Sequence, residues 1–385
     1  MARHRIKQRQ PSSQKGVAQR SAPASATSAR SRAATPRVAL GPALIGSSFV
    51  HPLFDYLVIG GGLSLVASAI AITYPHYTVV LGLTTLAYVI LFCNSAHFAA
   101  STVRLYTKPG AFQTWPFLTM SLPLVFLVAL AVCLSFGETV GRHALGLTLT
   151  WSAYHYAAQA YGLSVLYAYR SGRQLSNVDK HLLWGVSLLP FIFVVSSGVG
   201  IGLDWLLPAA VLTAGPVDAT LRTLAWVLPY VGFAAIALLL LKTWWSQSGP
   251  VPLISLLVLV ANGVWWFILD PYGAFTVATV FHGLQYLGIV MIFHVKERMA
   301  QPGNQRGIAY HALWFYGVSL LLGYGLFSCL PWGFDLLGFG LLQSVALVVV
   351  AVNIHHFIVD AFIWRLRPGG ANRQIAEAGH ASAAA

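Results

Sequence analysis

Apolar runs of roughly 20 residues recur along almost the whole chain, each closed by a short polar, basic or Gly/Pro-rich break, and this pattern predicts helices that cross a lipid bilayer. Ten spans are predicted, at roughly 54–74, 78–99, 116–136, 143–169, 182–203, 223–243, 251–269, 274–294, 312–330 and 337–362. The fourth and tenth are long enough to tilt or to extend beyond the bilayer. Punctuation between spans agrees: Lys108-Pro109-Gly110 and Asp270-Pro271-Tyr272-Gly273 read as turns. Trp244 and Trp245 suit one interfacial aromatic belt, and Trp265 and Trp266 the other. Gly60-Gly61-Gly62 follows no strand, so it predicts close approach of another helix rather than a nucleotide loop. The segment 204–222 is the weakest for spans and suits a short interfacial or re-entrant piece.

Composition strengthens the membrane reading. Of 385 residues 57% are hydrophobic and 9% charged, with a mean hydropathy of +0.69, whereas a soluble domain carries roughly a quarter charged residues. The expected fold is therefore all-α: a polytopic helical bundle in which each span satisfies its own backbone. Cys93, Cys133 and Cys329 all lie in apolar segments and form neither a disulfide framework nor a Cys-x-x-Cys pattern. Cys93 precedes His97 by one helical turn and can face the same way.

The formal charge of +13 raises the question of a nucleic-acid partner, and its distribution answers it. Nine of the 23 Lys and Arg fall in the first 37 residues, among Ser, Ala, Gln and Pro, with no acid before Asp55. Residues 1–50 are expected to form a disordered basic tail, 51–366 the membrane domain and 367–385 a flexible C-terminal tail. No aromatic or Gly-rich RNA-binding pattern interleaves the charges, so no nucleic-acid partner is expected. With the N-terminus inside, all 23 Lys and Arg except Arg142 and Arg222 fall on the cytoplasmic side of the ten-span scheme. The outer loops then hold Glu138, Asp204, Asp218, Asp270 and Asp335. Both termini are thus expected in the cytoplasm, with the bundle in a bacterial inner membrane.

Histidines interrupt these apolar spans. His97, His155, His282, His355 and His356 lie inside them, although an ionisable residue at the centre of a span costs about 2.5–3.5 kcal/mol on insertion scales. Measured back from the basic residue that ends each span, four spans place a histidine roughly 10–23 Å along the helix from the inner boundary. Polar companions stand three or four residues away, on the same helical faces: Asn94 with His97, Gln159 with His155, Gln285 with His282, and Asn353 and Asp360 with His356. His355 points about 100° away from His356, so one of the pair is expected to bind while the other meets a neighbouring helix. Asn94-Ser-Ala-His97-Phe98 echoes Asn353-Ile-His-His356-Phe357.

Together these residues outline a metal site. His97, His155, His282, His355 and His356 are the candidate ligands. Asn94, Gln159, Gln285, Asn353 and Asp360 are candidates for orienting them or for ligating directly. Imidazoles with at most one carboxylate and no thiolate suit non-haem Fe(II), then copper or zinc. His97, His155, His282 and the segment Asn353-Ile-His-His-Phe-Ile-Val-Asp360-Ala-Phe-Ile-Trp364 resemble the membrane-embedded histidine-motif iron oxygenases, in particular the carotene-dioxygenase type related to the Brp/Blh proteins. The resemblance implies a polytopic protein whose intramembrane histidines hold one iron. It departs from the desaturase branch, because His355-His356 lacks the preceding histidine of a His-x-x-His-His box. An oxygenase within the bilayer would take an isoprenoid, carotenoid or acyl substrate laterally, with membrane lipids around it and an electron donor as a possible partner. Two other classes stay open at this point: a haem-binding redox protein with histidines as axial ligands, and a transporter with a His/Asp-lined path. Walker A, Gly-x-Ser-x-Gly and His-Glu-x-x-His motifs are absent.

Overall fold

The computed structural model describes residues 44–74, 88–197, 203, 205–244 and 251–381. Most of the expected basic tail, the start of the second predicted span, the end of the fifth, Asp204 and Trp245 lie outside these residues. All regular structure within them is helical. We number the main helices α1 (Pro52–Ile59), α2 (Gly62–Thr73), α3 (Ala96–Thr107), α4 (Leu122–Ser135), α5 (Gly137–Arg170), α6 (Asn177–Ser196), α7 (Gly215–Trp244), α8 (Leu253–Phe267), α9 (Pro271–Met299), α10 (Ile308–Tyr324), α11 (Leu341–Ile363) and α12 (Ala371–Ala381).

Among the described residues six helices are long and apolar enough to cross a membrane: Phe117–Ser135, which includes α4; α6; Gly215–Lys242 in α7; Gly273–Met299 in α9; Ile308–Leu336, which begins with α10; and α11. The pair α1 and α2, bent by 45°, makes a seventh if it counts as one span. The break between them sits at the glycine triplet, where Gly61 adopts φ +89°. A Cβ there would stand 2.7 Å from the Ala261 methyl, and one at Gly60 would stand 3.1 Å from the Ile254 side chain. The triplet thus turns the chain and also lets it lie against α8.

Helix α8 has only 15 residues, about 22 Å at 1.5 Å each, less than a hydrocarbon core of roughly 30 Å. Its length matches its position, since it is enclosed by α5, α6, α7 and α9 and buries Ile254, Val258, Leu259, Ala261, Trp265 and Trp266. Ser164 of α5 and Ser255 of α8 lock the two helices reciprocally: each hydroxyl donates to the other residue's carbonyl, at 2.7 and 2.8 Å. In an apolar bundle such paired hydroxyls replace the missing hydrophobic drive between helices.

Both ends of the membrane domain are tied down more firmly than the sequence suggests. Phe49 is buried, and buried Asp55 accepts from the backbone N–H of Phe49 and Val50 and from the Tyr167 hydroxyl. At the other end, the tail expected to be flexible from 367 holds α12. Its Asn372 and Ala376 are buried, and Asn372 accepts from Arg104 while donating to the Ile363 carbonyl. Its polar face meets Gln174, which accepts from Arg373 and donates to Glu377.

Candidate metal centre

Four helices converge on one point. α3 supplies His97, α5 His155, α9 His282 and α11 His356, and one ring nitrogen or more from each lies within 4.8 Å of the others. All four side chains are buried. The Nε2 atoms of His97 and His356 are 3.1 Å apart, and those of His356 and His155 are 3.2 Å apart. Imidazole nitrogens about 2.0–2.1 Å from a shared tetrahedral ion stand roughly 3.4 Å from one another, so the observed spacing suits an ion among them.

The partners of the outer nitrogens fix the inner ones. His97 Nδ1 lies 3.2 Å from the Asn94 carbonyl, which can only accept, so this nitrogen carries the proton. His356 Nδ1 lies 2.9 Å from Ser101 Oγ, whose own proton goes to the Phe98 carbonyl, so His356 Nδ1 is also a donor. In the neutral rings both Nε2 atoms then present lone pairs, and the 3.1 Å contact has no proton to share. Convergence of lone pairs is what a cation requires and what a structural hydrogen bond cannot use. His282 Nε2 is buried with no hydrogen-bond partner among the described residues, which points the same way.

Asp360 stands one turn beyond His356, with Oδ2 3.4 Å from His356 Nε2 and 3.9 Å from His155 Nε2. Its other oxygen accepts from the Tyr286 hydroxyl at 2.7 Å, and that hydroxyl accepts from Trp364 Nε1 at 3.3 Å. The carboxylate is thus aimed at the histidines by a phenol and an indole. Just beneath, Arg104 is fully buried, with its guanidinium 4.8 Å from the Trp364 ring centre and bonded to Glu297 and Asn372.

The local sequence produces this arrangement through one repeated device, a residue four positions after each histidine on the same face. Ser101 follows His97, Gln159 follows His155, Tyr286 follows His282 and Asp360 follows His356. On α3 a further device operates. Ile90–Ser95 is π-helical and leads directly into α3, ending two residues before His97, and such turns are frequent at functional sites. Two glycines accept the widened turn. A Cβ at Gly283 would meet the Cys93 carbonyl at 3.0 Å, and one at Gly323 would meet the Ser95 carbonyl at 2.6 Å.

Other sequence candidates take different places. His355 does not join the cluster: its ring faces Phe126 of the segment carrying α4, with centroids 5.7 Å apart at 89°. The 100° offset between adjacent helical residues accounts for this. Asn353 bends back to donate to the Val349 carbonyl of its own helix at 2.6 Å, whereas Asn94 serves His97 through its backbone. The two halves of the Asn-x-x-His-Phe echo meet at their histidines and differ at their asparagines. Gln159 donates to Gln285 at 3.3 Å and to the His282 carbonyl at 3.2 Å, fixing α5 to α9 beside the cluster. Gln159 Oε1, Gln285 Nε2 and Asn94 Oδ1 are buried without partners among the described residues. Cys93 is not among the converging ligands. Ser101 and Tyr286 complete the site without standing out in the sequence, and Trp364, which closes the Asn353–Trp364 segment, joins them through its indole N–H. The four-residue spacing was the available signal for Ser101 and Tyr286.

No protein-family model, no curated protein and no solved structure matches the chain.

Proposed function

We propose that the protein is an integral membrane metalloenzyme, a non-haem iron oxygenase that acts on a lipid-soluble substrate of isoprenoid, carotenoid or acyl type. The reading rests on one observation above the others: histidine nitrogens from four helices converge, and the tautomers of two of them turn lone pairs inward. His97, His155, His282 and His356 would hold the ion, with Asp360 beside them as a carboxylate ligand or orienting group. Oxygen and nitrogen donors without thiolate favour iron, with copper or zinc as the competing ions. A ferrous ion supplies the one-electron chemistry by which dioxygen reacts with a closed-shell lipid.

The protein's own residues set the conditions. Tyr286 and Trp364 hold Asp360, Ser101 and Asn94 hold the histidines, and Phe98, Tyr156 and Phe357 pack against the imidazoles and keep water away. Four ring nitrogens within 4.8 Å of one another leave no space for a porphyrin between them, which favours a bare ion over haem. The polar residues also meet at a point instead of lining a path, which favours catalysis over transport. The reading includes ten spans with both termini in the cytoplasm of a bacterial inner membrane; the partition of Lys and Arg supports it. The test is oxygen consumption by iron-loaded protein in lipid nanodiscs supplied with isoprenoid, carotenoid or acyl lipids. Iron-dependent uptake that stops on chelation is expected, and undiminished turnover in iron-free protein would contradict it.

A further inference from the structure

We infer that the seam between α5 and α6 is a binding trough for a long-chain fatty carboxylate, which it leads to the histidine site; this rests on the function proposed above only for the trough's destination. Two adjoining depressions form it. One, of about 260 Å³, is lined by Leu147, Thr150, Trp151, Tyr154 and Phe191 and is almost wholly apolar. The other, of about 440 Å³, is lined by Tyr161, Asn177, Lys180, His181 and Trp184. Aromatic side chains join them: Tyr154 packs on Phe191 at 5.6 Å and on Trp184 at 6.1 Å, and Trp184 packs on Tyr161 at 5.1 Å.

The two ends differ in chemistry. Lys180 lies with its ammonium 6.0 Å from the Tyr169 ring centre and forms no ion pair among the described residues, while neighbouring Asp179 is engaged by Lys242 and Arg173. Lys180 thus offers a cation, with His181 and Asn177 beside it, at one end of an aromatic-walled groove. From Trp151 to Tyr161 the helix rises roughly 15 Å, enough for an extended chain of about a dozen carbons. A single-chain carboxylate fits: its head pairs with Lys180 and its chain lies along the aromatic rings.

At the apolar end the trough meets the site. Trp151 packs against Phe357 with centroids 6.0 Å apart at 33°, and Phe357 packs against His155 at 4.5 Å and 32°. The Trp151 and Phe357 rings therefore stand between the trough and the imidazole, and rotation of Phe357 would bring the methyl end of the chain to His155. Carbons remote from the carboxylate would then be the ones presented for reaction.

A palmitate analogue carrying a diazirine at its methyl end is the probe. Purified full-length protein in detergent is photolysed with it, and the adducts are mapped by mass spectrometry alongside metal analysis of the same samples. Adducts are expected at Trp151, Tyr154 and Phe191, competed by palmitate and not by phosphatidylglycerol. They should fall roughly tenfold in Lys180→Glu, the loss expected when a charged pair is removed. Tyr154→Ala should weaken them as well, with metal content unchanged in both variants. Adducts spread over outward residues such as Leu313 and Leu321, equal competition by phosphatidylglycerol, or indifference to Lys180→Glu would each overturn the proposal. Adducts in the trough of metal-free protein would uphold the binding site while removing the oxygenase reading. A metal-replete protein with no adducts there would overturn the trough and leave the metal site standing.

Discussion

His355 and His356 are adjacent in the chain, yet only His356 reaches the cluster, because one step along a helix turns a side chain by about 100°. The sequence shows Asn353 and Asp360 on the His356 face and predicts that one of the pair meets a neighbouring helix, with both as candidate ligands; the structure gives that contact to His355, at Phe126. Less legible was which atoms of the companions matter. Asn94 acts through its carbonyl, and Asn353 turns back to its own helix, because facing direction in a sequence says nothing about where a hydrogen bond ends. A phenol in an apolar span, such as Tyr286, carries no polar signal in the sequence, whereas the amide of Gln285, one residue earlier, does. The Tyr286 hydroxyl is the 2.7 Å donor that holds Asp360. Tyr286→Phe keeps the ring and removes that donor. It should weaken metal binding about 10- to 100-fold, the usual effect of losing an orienting partner, and shift the spectrum of a bound Co(II) or Fe(II) probe. Unchanged affinity and spectrum would show that Asp360 does not need the phenol.

At the level of elements, helix type and approximate extent followed from apolar run length, but breaks inside the runs did not. The π-helical Ile90–Ser95 is an ordinary apolar stretch to the eye. It is set by the glycines of two other helices, Gly283 and Gly323, so its cause lies outside its own segment. Gly323→Ala would drive a methyl into the Ser95 backbone and should cost about 1–3 kcal/mol by overpacking, with reduced metal loading because His97 follows directly. Gly317→Ala on the same helix meets nothing within 4 Å and serves as the control. Thermal melts of the two variants should separate clearly, and equal melting temperatures would remove the role given to the close approach. Helix α8 shows a related limit: hydropathy marks the segment as apolar, but not that its helix is only 15 residues long and enclosed by longer neighbours.

For the whole molecule, composition alone established a helical, membrane-type bundle, and the six to seven helices of spanning length agree. The closed end beneath the site has no signature in composition. Arg104, two turns from His97 on α3, is fully buried and held by Glu297, Asn372 and the Trp364 face. A short amphipathic stretch after a Pro-Gly-Gly break reads as a tail unless its partner, a buried arginine nine helices earlier in the chain, is known. Asn372→Ala should destabilise the protein by about 1.5–3 kcal/mol, the range for a hydrogen bond to a charged group, seen as a lower midpoint in thermal melts. No change would mean that α12 is not a structural plug. Cysteine labelling from either side of the membrane tests the orientation: single cysteines placed near Arg173 and Arg367 should both react from the cytoplasmic face, and labelling from opposite faces would contradict the ten-span reading.

Convergence of four histidines on one ion is the central claim, and metal content per chain tests it most directly. Wild-type protein purified from iron-replete cells should carry about one iron per chain, a single ion being what one cluster of four inward imidazoles holds. His355→Ala should retain it, while His97→Ala, His155→Ala, His282→Ala and His356→Ala should each lose most of it. Equal metal in all five variants, or none in the wild type after loading with iron, copper or zinc, would contradict the account.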